Sequence, residues 1–426
     1  MANLVSTTLT AGFTEKKGTS SVSGTTLTVD AATGNYFEGD LASASGNIAT
    51  FTISNPPSAG HKVGSFKIKI KQGTTARDFN WGSMTGMEPQ WVDGNTPAMP
   101  TEYQTYTVYS FTTYDGGTTW YGQVVATAFD RDITSGPWGT RGIFAGGFSG
   151  PNPKNIIDYI TISTPGNATD FGDITVARNT LAGCSSGSRG VFGGGLNAST
   201  NFDTTIDYIT ISSAGNATDF GDLTVGRYAI ASCSSTTRGV FAGGQIQSGS
   251  THTNIIDYIT IASTGNATDF GDLTVARDYI GGTSSGTRGI FGGGSISGPS
   301  KNEIDYITIG SPGNATDFGD LSVTRKWTGA ASDSIRAVWA GGDTHSTMDY
   351  VTIATPANAL SFGQMSVASW NRSTGTSDGN RGVFGGGQNS PTTAAIDYIA
   401  ISYASSGTDF GDLTVARDLA GACSGS

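Results

Sequence analysis

The chain has 426 residues, 63 of them Gly, with 23 Lys and Arg against 34 Asp and Glu and a formal charge of −11. Charged residues make up 13 % of it, too few and too acidic for a phosphate-backbone footprint, so nucleic acid is not an expected partner. A long coiled coil is excluded by the same composition, the glycines lack the period of collagen, and 10 % aromatic residues argue for a packed core. Three Cys without a C-x-x-C pair, and scattered His61, His252 and His345, predict no disulfide framework and no metal centre. No cofactor is expected. Residues 1–10 show no basic stretch followed by an apolar core, and no apolar run reaches the length of a membrane span. The expectation is synthesis in the cytoplasm without a signal peptide or membrane insertion, any later extracellular position being reached by assembly.

Residues 1–125 contain no repeat. Alternating runs at Ala49-Thr50-Phe51-Thr52-Ile53 and Ser65-Phe66-Lys67-Ile68-Lys69-Ile70, with turn markers at Asn55-Pro56-Pro57 and Asp93-Gly94-Asn95, predict a β-sandwich. Thr113-x-Asp115-x-Gly117-x-Thr119-Trp120 fits the Asp-box pattern of sialidases, in which Asp and Thr lock a hairpin turn above a packed Trp. It occurs once and outside the repeats, so it is read as a structural turn. Residues 126–140, with Gly136-Pro137-Trp138-Gly139, are the expected linker.

From residue 141 the chain repeats itself. An Asp-Tyr step recurs at Asp158, Asp207, Asp257, Asp305, Asp349 and Asp397, spaced 49, 50, 48, 44 and 48 residues apart. An Arg-led segment precedes each one, such as RGIFAGG from Arg141 or RGVFGGG from Arg189. After it comes TDFGDLTV-x-Arg, ending at Arg178, Arg227, Arg277, Arg325 and Arg417; the fifth copy reads SFGQMSVAS, with Ser369 in the arginine column. A block of small residues, such as AGCSSGS from Ala182, completes the unit. Four short runs in about 45 to 50 residues, none with helical periodicity, make the size of one β-propeller blade. The chain enters at a second run and ends on a lone first run. Segment 418–426 is therefore expected to pair with 141–147 and complete the sixth blade.

An aromatic followed by Gly-Gly, a variable loop, a Tyr-bearing strand, a further aromatic and a trailing Arg resemble the kelch repeat across residues 135–426. Phe171, Phe220, Phe270, Phe318, Phe362 and Phe410 stand where kelch repeats usually carry Trp, and a buried aromatic serves either way. Segments VDAATGNYF from Val29, ISNPP from Ile53 and DGGTTWYG from Asp115 are similar, in order, to a small β domain of bacteriophage tail-fibre and other virion proteins, over roughly residues 22–125. The two resemblances imply an all-β chain: a β-sandwich-like virion-attachment domain at 1–125, a linker at 126–140 and a six-bladed kelch-like propeller at 141–426 closed by strand 418–426.

Of 14 Arg, 11 occupy repeat positions, leaving Arg77, Arg131 and Arg372. The repeated Arg are expected to pair with repeated Asp and tie strands or blades together. Cys184, Cys233 and Cys423 share one repeat offset and read as small hydrophobes on crowded inner strands. The N-A-T triplets at Asn167, Asn216, Asn266 and Asn314 read as turn formers. Where the repeats disagree, loops after the second run vary in length, and the residues after the repeat Arg vary beside them. Tyr228, Asp278, Tyr279, Trp327, Trp370 and Asn371 fall there, and flat aromatics beside amide and carboxylate groups suit sugar rings.

The expectation is a non-enzymatic structural component of a bacteriophage virion, a tail-fibre or receptor-binding protein. Its first domain would contact other virion proteins, and its variable propeller face a host-surface glycan or protein. A homo-oligomer is expected, a trimer being usual for fibre-like proteins. A second reading is a capsid or tail decoration protein. A third, a carbohydrate-active enzyme, needs convergent carboxylates at the pore, for which repeat Asp facing Arg are poor candidates.

Overall fold

The computed structural model describes residues 19–30, 35–41, 44–54, 64–71, 84–85, 89–91, 105–113, 120–129, 136–246, 251–343, 345–366, 371–388 and 392–425. Among them the protein is all-β, with no α-helix. The chain divides into two compact units, residues 1–130 and 131–426.

In the first unit, one sheet runs Ser20–Ser23, Thr26–Asp30, Thr50–Ser54, Met84–Thr85 in spatial order. The other runs Tyr36–Asp40, Gly64–Lys71, Thr105–Thr113, Trp120–Phe129, Pro89–Trp91. Alternation decides what each buries: Phe66, Ile68 and Ile70 are buried while Lys67 and Lys69 between them stay partly exposed. Inward residues of both sheets, among them Leu27 and Phe51 from one and Phe37, Ile68 and Phe111 from the other, join in one buried cluster. Four strand pairings here run parallel, which requires crossovers in place of hairpin turns. The Asp-box turn at 114–119 and the turn markers at 55–57 and 93–95 lie outside the described residues. The segment 126–140 is more than a spacer. It begins inside strand Trp120–Phe129, and Pro137 belongs to the second unit, its carbonyl accepting a hydrogen bond from Ser185 Oγ at 2.9 Å.

The second unit holds six four-stranded antiparallel sheets. Five are continuous in sequence, for example Ala182–Ser185, Arg189–Gly193, Thr205–Thr210, Thr218–Asp222. The remaining sheet joins the two ends of the unit: Gly421–Gly425 pairs with Arg141–Ala145, from Arg141↔Gly425 to Ala145↔Gly421, ahead of Ile156–Thr161 and Thr169–Asp173. Small-residue strands neighbour one another in order, Gly421–Gly425, Ala182–Ser185, Ala231–Ser234, Gly281–Ser284, Gly329–Ser332 and Thr374–Ser377, and the last again neighbours the first. Glycine is required by this approach: a Cβ on Gly183 would lie 2.7 Å from the Ala422 carbonyl oxygen. At the Gly-Gly strand end, Gly194 has φ +65° and a Cβ there would lie 2.7 Å from Arg227 O.

Repeat side chains join one sheet to the next. Each Arg of the RG strands lies over the Tyr of its own sheet, Arg189 4.4 Å from the Tyr208 ring centroid, and donates to a carbonyl of the following sheet, Arg189 to Ile261 O at 2.8 Å. The same donation returns from the sixth sheet to the first, from Arg381 to Ile162 O at 2.8 Å. The N-A-T asparagines are latches rather than mere turn formers: Asn216 Oδ1 accepts from Asp173 N–H at 3.1 Å, and Asn167 Oδ1 from Asp412 N–H at 3.1 Å. Cys184, Cys233 and Cys423 are buried among inter-sheet clusters. Burial pushes the Cys184 thiol up to about 12, so it stays protonated at neutral pH.

The second arginine set pairs with the Asp-Tyr aspartates, five buried ion pairs in all: Arg178–Asp207, Arg227–Asp257, Arg277–Asp305, Arg325–Asp349 and Arg417–Asp158. In the Arg178–Asp207 pair, burial lowers the arginine and raises the aspartate against their mutual attraction, so both charges depend on the partner. Asp397 has no arginine among the described residues. It is 1 % exposed and accepts from Ser366 N–H at 2.8 Å and Ser366 Oγ at 2.7 Å, and burial raises its carboxyl above the usual range. Ionising it therefore costs more folded than unfolded. That penalty is absent below the unfolded pKa and complete once pH has risen through the folded one. Asp397→Asn, able to keep both Ser366 bonds, is expected to raise the melting temperature at pH 7, with the gain shrinking as pH falls toward about 4. Urea melts of both forms across that range check it; a loss of stability at pH 7 refutes it.

Candidate functional site

The three-residue links between the repeat arginines and the small-residue strands carry the variable side chains. Their residues divide by direction. Those directly after the arginine pair with the loop beyond the Gly-Gly corner, as in the bridges Tyr228↔Gln245, Asp278↔Ser295 and Asn371↔Gln388. The next ones, Thr180, Ala229, Tyr279, Trp327, Arg372 and Leu419, all adopt left-handed backbone with φ between 53° and 61°. Bulky side chains disfavour that conformation, and here tertiary bonding holds it. Each of the six donates its N–H to the carbonyl of its predecessor: Ala229 to Thr180 (3.0 Å), Tyr279 to Ala229 (2.9 Å), Trp327 to Tyr279 (3.1 Å), Arg372 to Trp327 (3.0 Å), Leu419 to Arg372 (3.1 Å) and Thr180 to Leu419 (2.7 Å).

This belt rims a cavity of about 120 Å³ walled by the beginnings of the small-residue strands, including Leu181, Ile230, Ile280 and Ser373. Farther along the same strands, Ser185, Ser234, Ser284, Ser332, Ser377 and Ser424 line a second cavity of about 60 Å³ together with Pro137 and Trp138.

Four aromatics form an arc across successive repeats. Phe202 stacks on Tyr228 with centroids 5.1 Å apart, and Tyr228 meets Tyr279 edge-on at 6.2 Å. Tyr279 meets Trp327 edge-on at 5.2 Å. Two cations lie over Trp327: Lys326 Nζ at 4.5 Å and the Arg372 guanidinium at 4.9 Å from the ring. Tyr228, Tyr279 and Trp327 are half-buried, and burial raises both tyrosine phenols.

Of the residues expected at the site, Tyr279 and Trp327 line the cavity. Tyr228 adjoins Tyr279 but faces its loop, where its hydroxyl donates to Gln245. Asp278 is not a free rim carboxylate: it is 2 % exposed, accepts from Ser295 Oγ at 2.5 Å and lies 3.4 Å from His252 Nδ1. Burial raises its carboxyl. Asn371 bridges Gln388 of its loop through the backbone and does not line the cavity. Trp370 lies outside the described residues.

The fifth link also changes the register read from sequence. Counting back from left-handed Arg372, as from Thr180 to Arg178, the arginine column falls on Trp370 rather than Ser369. One extra residue between Gln364 and that column produces the shift. Arg372 was missed as a rim residue for this reason, whereas Thr180 and Leu419 stand in the column of Tyr279 and Trp327 without any shift. Arg372 joins that column once the insertion is allowed for.

Among the described residues no three His, Cys, Asp or Glu side chains come together to hold a metal ion. No protein-family model matches the chain, and no curated protein sequence matches it either.

Proposed function

We propose that residues 131–426 form a six-bladed kelch-like β-propeller, that the first unit is a sandwich-like attachment domain, and that the protein is a bacteriophage virion component that adheres to a host-surface glycan. The cyclic order of the small-residue strands and of the left-handed belt supports the propeller. The adhesive reading is carried by one observation: at a single end of the repeat unit, Tyr279, Trp327 and Arg372 rim a cavity, the other two aromatics of the arc and Lys326 lie beside them, and each sheet brings its own loop to that end. A rigid scaffold bearing individual loops is the usual way to build a binding surface. Many copies on a particle turn weak single-site contacts into firm adhesion.

A glycan array probed with the full-length protein, displayed multivalently, tests the reading. Binding to a subset of glycans is expected, falling roughly tenfold or more for Tyr279→Ala combined with Trp327→Ala, the size of about 1.4 kcal/mol. Binding to no glycan, or binding unchanged by the double substitution in a folded protein, overturns it. Release of reducing sugar from a bound glycan would favour an enzyme instead.

A further inference from the structure

We propose that the rimmed cavity receives a carboxylate-bearing sugar, with Arg372 as its anion-binding group; the inference rests on the glycan-adhesion reading and names the ligand class. Arg372 is the sole charged side chain among the described residues of the cavity wall. The other residues of its column are Thr180, Ala229, Tyr279, Trp327 and Leu419, so the cation is a departure at one point of the belt rather than part of the repeat architecture. The 11 repeat arginines are tied to strands and sheets at repeat positions; Arg372 stands outside those columns.

Arg372 is held ready without being used up. Its Nη1 meets Asp418 Oδ2 at 3.3 Å, its guanidinium lies over Trp327, and its side chain is still 29 % exposed. Asp418 is 2 % exposed and does not line the cavity, so it anchors the guanidinium from behind rather than presenting a carboxylate to a ligand. Nη1 bonds Asp418 and Nε is buried, which leaves Nη2 of the guanidinium for an incoming carboxylate. Lys326 adds a second cation over the same indole, its Nζ also donating to Gly298 O at 2.7 Å.

The remaining wall fits the rest of such a sugar. Ala229, Leu419 and Ile280 offer apolar surface to ring C–H groups, and Tyr279 an aromatic edge. Backbone N–H and C=O groups of the belt already bond one another and do not compete for the anion. A neutral sugar would gain no charge pairing from the guanidinium, and a cationic one would be repelled by it.

The test is titration of the full-length protein with N-acetylneuraminic and glucuronic acids as acidic probes, and galactose and glucose as neutral ones, followed by ligand-observed NMR. Binding of at least one acidic probe is expected, weakening as salt rises and falling roughly tenfold or more in Arg372→Gln. Arg372→Lys should retain part of it and keep a cation beside Asp418, melting near the wild-type temperature; Arg372→Gln strands the buried Asp418 and should melt lower, so its binding is read well below its own melting temperature. Neutral probes binding as well as acidic ones, or acidic binding unaffected by Arg372→Gln, overturns the assignment. The array separates this from the broader reading. Adhesion that free acidic sugar does not compete overturns the carboxylate site and leaves adhesion standing. Acidic-sugar binding lost in Arg372→Gln, without adhesion to any glycan, upholds the site and overturns adhesion.

Discussion

Removal of residues 418–426 is expected to abolish the cooperative unfolding of the 131–426 unit. Strand Gly421–Gly425 supplies the first strand of the sheet that begins at Arg141, with five residue partners along Arg141–Ala145. Ala422 and Cys423 also fill clusters on either side of that sheet. Leu419 closes the left-handed belt, since Thr180 donates to its carbonyl and it donates to that of Arg372. Each lost hydrogen bond counts for about 0.5–1.5 kcal/mol net. Together with the exposed apolar surface, the loss reaches the same order as the roughly 5–15 kcal/mol that holds an ordinary domain folded. Calorimetry of the truncated chain reads this directly, and a synthetic 418–426 peptide should restore the transition in trans. A truncated protein that melts at the wild-type temperature would show that the terminal strand is dispensable.

The second large effect belongs to the buried ion pairs. Asp257→Ala is expected to destabilise the second unit by about 3–5 kcal/mol, because removing one member of a buried pair strands the other. Arg227 is fully buried, and its Nη1 lies 2.8 Å from Asp257 Oδ2. Without the carboxylate it keeps only the Phe241 carbonyl at 3.2 Å, and Thr224 N–H and Oγ1 lose their acceptor as well. The melting temperature should fall on the order of 10 °C. Adding Arg227→Met to Asp257→Ala should recover much of the loss, since the stranded charge rather than the missing attraction accounts for most of it. A double variant no more stable than Asp257→Ala alone refutes that explanation. Asp397→Asn is the internal control: the same repeat position, without an arginine, responds in the opposite direction.

That contrast marks what a linear reading of the repeats captured. The six Asp-Tyr steps and the two arginine columns were visible, and pairing of Arg with a repeated Asp was expected from charge; only the fold chose the Asp-Tyr column over the DFGD one and set the strand-leading arginines over Tyr with a carbonyl as acceptor rather than an Asp. Both strand runs singled out in the first 125 residues are strands of the folded chain. Parallel pairings in that unit were not legible, because periodicity identifies a strand without identifying its neighbour. Nor was the second use of the N-A-T asparagines, whose acceptors reach a sheet some 40 residues away in sequence, Asn216 bonding Asp173.

At the candidate site the division is sharper. Composition and periodicity alone determined an all-β chain with a six-fold repeat, its apolar core and the columns where repeats differ, because those properties depend on local alternation and on turn residues. Which side chain of a variable pair faces the cavity was decided only by tertiary structure. Belt hydrogen bonds between neighbouring sheets force left-handed backbone onto Thr180, Ala229, Tyr279, Trp327, Arg372 and Leu419 alike, regardless of their side chains. That turn aims the second residue of each link at the cavity and the first at its loop. It brings Arg372 to the rim and places Asp278 under cover.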